Sequence, residues 1–92
     1  MSQSERTVTI ASSVGLHARP AALFVQAATA TGLPVKINKV GDAPVDARSI
    51  LAVMALGAKF GEEVVLTADG DGADAALDEL VALLSRDLDA PE

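Results

Sequence analysis

Segments in which every second residue is apolar alternate along this chain with segments whose apolar residues recur every three or four positions, and both kinds have to share one core. Arg6 to Ser12, RTVTIAS, sets Val8 and Ile10 among threonines, the period-two mark of a strand with one buried face. Pro20 to Thr31 instead puts Ala21, Phe24, Ala28 and Thr31 on one helical stripe, with Leu23 and Ala27 beside it and Gly32 as a stop. Pro34 to Val40 alternates again, and Gly41-Asp42 opens a turn into APVDA, so a hairpin is expected there. Ser49 to Leu56 reads as a short helix between a serine N-cap and Gly57. Glu62 to Ala68 is Val-rich and strand-like. The last apolar set, Ala73, Ala76, Leu77, Leu80, Val81 and Leu84, returns to helical spacing, with Asp74 and Asp78 near the positive end of that helix and Arg86 near the negative end. Residues 89–92 are expected to fray.

The order β-α-β-β-α-β-α predicts an α+β fold, a two-layer open-faced sandwich. Its four-stranded, largely antiparallel sheet would carry three helices on one face and leave Thr, Lys and Asn side chains on the other. At 92 residues the chain is expected to be a single domain spanning 1–92. Only two residues are aromatic, so the core must be built from Val, Ile, Leu and Ala, and with no cysteine it has no disulfide or thiolate to draw on. A formal net charge of -6 argues against a general nucleic-acid binder, which needs clustered Lys and Arg. MSQSERT lacks the apolar run of a signal peptide, and no apolar run is long enough for membrane insertion; a cytoplasmic protein is expected.

The one histidine lies in GLHARPA, residues 15 to 21. His17 stands just before a helix whose first turn tolerates Pro20, because first-turn amides have no partner within the helix. Taken alone, a histidine there is more often an exposed cap than a working group. Its surroundings favour work on an anion: free amides at a helix start, the dipole's positive end, the fixed charge of Arg19, and Gly15 to let backbone come close. Nucleophile, cation and oriented amides are what phosphoryl transfer needs, since its catalysis is positioning and charge stabilisation. Zinc is disfavoured by a lone histidine, and DGDGADAALDEL fails as a calcium loop because Ala73, Asp74 and Leu80 fall where ligands and the turn glycine belong.

The stretch GLHARPAALFVQAA resembles the active-site segment of the histidine-containing phosphocarrier family, HPr, of the bacterial phosphotransferase system. DARSILAVMALG, Asp46 to Gly57, resembles that family's regulatory-serine region at the expected separation. The resemblance implies an HPr-like fold and a carrier that is not itself an enzyme, although it is substrate and donor to enzymes. Phospho-enzyme I would charge His17, at Nδ1 in this family, and the group would pass to enzyme II (IIA) components that phosphorylate incoming sugars. Arg19 and the backbone amides of Ala18 and Arg19 would hold the phosphoryl group. Neither a metal nor an organic cofactor is implied. Ser49 would be the regulatory phosphorylation site, served by a serine kinase/phosphatase where one exists, and a monomer is expected. Val14 stands where well-known members often carry a small polar residue.

The helix after Ser49 also bears on partners. Ile50 and Val53 suffice to fill an inward face, leaving Leu51 and Met54 for an exposed apolar patch rimmed by Arg48 and Lys59. The resemblance puts this helix on the partner-binding surface. A second function class is a regulatory interaction module of the same fold, acting through Ser49 without carrying phosphate.

Overall fold

A computed structural model describes residues 3–13 and 15–86, so Val14 and the tail at 89–92 lie outside the described residues. Strands β1 (Gln3–Thr9), β2 (Val35–Lys39), β3 (Val45–Asp46) and β4 (Glu63–Asp69) form one sheet in the order β1-β4-β2-β3. Every neighbouring pair is antiparallel. Helices α1 (Ala18–Ala30), α2 (Ile50–Leu56) and α3 (Ala73–Leu84) complete the expected element order and the open-faced α+β sandwich. Helix α3 packs on β1 and β4, α2 on β2 and β3, and α1 against both helices.

The register explains which face is buried. Val8 pairs with Val64 and Ile37 with Leu66, and all four side chains enter the core with Val35 and Ala68. Because side chains alternate, Glu5, Thr7, Lys36 and Thr67 fall on the uncovered face. The helices supply Ala21, Phe24 and Ala28, then Val53, then Leu77, Leu80 and Leu84. None of the helices among the described residues is long and apolar enough to cross a membrane.

Strand β1 runs three residues earlier than its apolar alternation suggests. Gln3, Ser4 and Glu5 carry no period-two signal, yet their backbones pair with Asp69, Ala68 and Thr67. At the other end Ile10 still exchanges bonds with the backbones of Gly61 and Glu62, while the amide of Ala11 turns to Leu84 at the end of α3 and the chain leaves the sheet. Strand β3 keeps only Val45 and Asp46 of the predicted APVDA. Pro44 has no amide to donate to a ladder, which suits a short edge strand. Helix α1 begins two residues earlier than Pro20, so His17 is its N-cap and the proline sits at the third helical position.

Candidate functional site

The chain between β1 and α1 is seated on the loop that follows α2. The Gly15 amide donates to the Ser12 carbonyl at 2.9 Å, the Leu16 amide to the Ala58 carbonyl at 2.8 Å, and the His17 amide to the Gly15 carbonyl at 3.0 Å. Gly15 has φ of 74°, and a Cβ there would lie 2.5 Å from the Ala58 oxygen. The side chains of Leu16 and Pro20 are buried, whereas His17, Ala18 and Arg19 between them are exposed. Two core anchors thus present three consecutive residues to solvent.

His17 has extended backbone, φ -132° and ψ 150°, and its imidazole makes no capping bond to α1. Ala18 follows with φ of 40°, the only positive φ outside glycine among the described residues. Such a conformation costs on the order of 1–3 kcal/mol and survives only where neighbours over-determine it. The anchors and backbone bonds around it meet that condition. The amides of Ala18 and Arg19 have no carbonyl one turn back to bond, and Pro20 has no amide. The helix start therefore offers two consecutive donors. No acidic residue occupies the first turn of α1 to compete with an incoming anion. Arg19 makes no ion pair among the described residues, so its guanidinium is available beside those amides.

Ser49 is the N-cap of α2, with its Oγ accepting from the Ala52 amide at 3.3 Å, and Gly57 ends the helix. Arg48 is not a free rim charge: its Nε lies 3.3 Å from Oδ1 of Asp46. That oxygen also accepts from the Arg48 amide at 2.9 Å, and this bond is the leading reason the Asp46 carboxyl is held below the ordinary aspartate range. The apolar patch differs from expectation by an exchange of two side chains. Leu51 is 78% exposed as expected, but Ile50 is exposed at 37%, while Met54 is half-buried against the core. Val53, Met54 and Leu56 turn inward, so the face rotates away from Ile50. Phe60, 65% exposed in the α2–β4 loop, is a further apolar group that the sequence reading passed over. Its signal was present: an aromatic in KFG, between the end of a helix and a glycine, belongs to neither apolar pattern.

Comparison with known proteins bears on this geometry. Residues 4–86 match the family model PTS-HPr, described as the PTS HPr component phosphorylation site. The chain is 54% identical over 86 residues to the phosphocarrier protein HPr of Streptomyces coelicolor, covering 94% of this chain and 92% of that protein. It is 38% identical over 84 residues to the HPr-like protein Crh of Bacillus subtilis, covering 91% of this chain and 98% of that one. Among solved structures, HPr-C-His from Thermoanaerobacter tengcongensis superposes with a TM-score of 0.87 at 38% identity, covering 97% of this chain and 99% of that chain.

Proposed function

The chain belongs to the HPr family of the phosphotransferase system, and from that premise we propose that it is a phosphoryl carrier whose reactive group is His17. The observation that carries this reading is the cradle at the start of α1: an exposed imidazole, two amide donors without helical partners, and an Arg19 that makes no ion pair among the described residues. A ring nitrogen of His17 offers its lone pair to the phosphorus of phospho-enzyme I. A phosphorus–nitrogen bond forms as the bond to the donor's histidine breaks. Charge on the phosphoryl oxygens is met by the Ala18 and Arg19 amides and by the guanidinium, donors already in place before the group arrives. Because imidazole is a good leaving group, the phosphoryl group is held without being trapped, and it passes onward to enzyme II (IIA) components. No cofactor enters this scheme, and the protein works in the cytoplasm as a monomer.

Leu51 and Ile50, with the exposed part of half-buried Met54, form the partner surface beside Ser49 in this reading, and adaptable side chains of this kind suit a carrier that meets several unlike partners. The second reading, a regulatory module acting through Ser49, is favoured by the likeness to Crh, an HPr-like protein. One experiment separates the two. The purified chain is incubated with enzyme I and labelled phosphoenolpyruvate, and the label's acid lability is measured for wild type and for His17→Ala. Acid-labile label in the wild type and none in the variant is expected; an unlabelled wild type leaves only the regulatory module.

A further inference from the structure

We propose that Glu62 is a positioning residue for His17, acting through the turn between α2 and β4. The inference rests on the carrier reading for its consequence, though not for its geometry. Residues 15 to 17 have no regular structure of their own, and residues 58 and 59 are their template. The Leu16 amide is tied to the Ala58 carbonyl at 2.8 Å, and the Gly15 Cα lies so close to Ala58 and Lys59 that a Cβ has no room. The Gly15 carbonyl in turn fixes the His17 amide, and the strained φ of Ala18 comes next. The 58–59 backbone therefore acts with the Leu16 and Pro20 anchors to set where the imidazole and the two amide donors point.

Ala58 is itself buried in the core, but the turn that follows it has little burial of its own, because Lys59, Phe60 and Gly61 are all exposed. The turn is closed on both sides by Glu62. Its amide donates to the Lys59 carbonyl at 3.0 Å, and its carboxylate Oε1 accepts from the Lys59 amide at 2.8 Å. Its carbonyl accepts from the Ile10 amide at 2.9 Å, and the Gly61 amide donates back to Ile10 at 2.9 Å, so the far end is fastened to the sheet. A line of bonds thus runs from the Glu62 carboxylate through Lys59 and Ala58 to Leu16 and His17. A charged acceptor on a backbone amide is among the stronger hydrogen bonds, and deleting it frees the turn next to the template.

The test compares Glu62→Ala with Glu62→Gln, since Gln keeps an acceptor and loses the charge. In the free protein, amide hydrogen exchange at Leu16 is expected to speed up about tenfold in the alanine variant through local opening, with Ile37 in the sheet unchanged and Gln close to wild type. In transfer from phospho-enzyme I, kcat is expected to fall several-fold in Glu62→Ala with KM nearly constant, and Gln is expected to restore it. Unchanged exchange at Leu16, equal acceleration at Leu16 and Ile37, or a change in KM alone would each overturn the proposal. So would equal loss in both variants, which would make the charge and not the bond responsible. If the wild type takes up no label, the carrier reading fails, while the exchange comparison still decides whether Glu62 orders residues 15–17.

Discussion

At residue 15 a methyl group would stand 2.5 Å from the Ala58 oxygen and 3.0 Å from the Lys59 Cα, both backbone atoms that cannot swing aside. Gly15→Ala therefore carries two penalties, and Gly32 allows them to be separated. Gly32 has φ of 72°, close to the 74° of Gly15, but nothing lies within 4 Å of its would-be Cβ. Gly32→Ala is expected to lose roughly 1–2 kcal/mol, the cost of left-handed backbone in an L-residue. Gly15→Ala is expected to lose that and about 1–3 kcal/mol more for overpacking, and to move the His17 backbone as well. Urea denaturation of the two variants reads the difference directly. Equal losses would show that the 58–59 backbone yields freely and is no template. Nothing in the identity of Ala58 announces this role, because what it contributes is a carbonyl that every residue has. His17 and Arg19, by contrast, could be singled out from the sequence because their side chains carry the chemistry.

Helix α2 shows what an element contributes beyond its residues. At seven residues it is too short to be stable by itself, and it depends on the Ser49 cap and on packing through Val53. Aspartate caps a helix as well as serine and its charge suits a helix start, so Ser49→Asp is expected to leave circular dichroism and melting nearly unchanged. On the carrier reading the same charge, beside exposed Ile50 and Leu51, opposes an approaching phosphohistidine, and the catalytic efficiency of transfer from enzyme I should fall. The deficit should shrink at high salt, because exposed charges are screened beyond about 8 Å at physiological ionic strength. Equal efficiencies for wild type, Ser49→Asp and Ser49→Ala would leave Ser49 a helix cap only. The existence of α2 was legible from its apolar run, its serine and its glycine. Its rotation was not, since two turns are too few for a periodic pattern to choose between Ile50 and Met54 as the inward residue, and packing against α1, β2 and β3 decides. The start of β1 was hidden for a related reason: Gln3, Ser4 and Glu5 are held by backbone pairing with β4, which leaves no mark in side-chain pattern.

Across the whole molecule, the first strand and the last helix are joined by a charged clamp that no local pattern in the sequence foretold. The Arg6 Nε donates to Oδ1 of Asp78 at 3.0 Å and its NH2 group to Oδ1 of Asp74 at 3.2 Å, partners 72 and 68 positions away. The Asp78 bond is foremost in holding the guanidinium charged. The Asp74 carboxyl is held below the ordinary aspartate range, first by a hydrogen bond from the Ser4 side chain and then by Arg6. A carboxyl with a lowered folded-state pKa binds its proton less readily folded than unfolded. Its stabilisation is complete above the unfolded value of about 4 and is lost as pH falls through the lowered value. Arg6→Met keeps an apolar stem and removes the charge, so it takes away the arginine's share and leaves the Ser4 bond. The variant is expected to melt modestly below wild type at pH 7, because all three side chains are substantially solvated. That gap should stay constant down to about pH 4, narrow as Asp74 protonates below it, and shrink at pH 7 when salt is added. Melting curves of both proteins from neutral to strongly acid pH make the comparison, and a gap that persists undiminished in acid would assign the contribution of Arg6 to packing of its stem against α3 and reject the clamp.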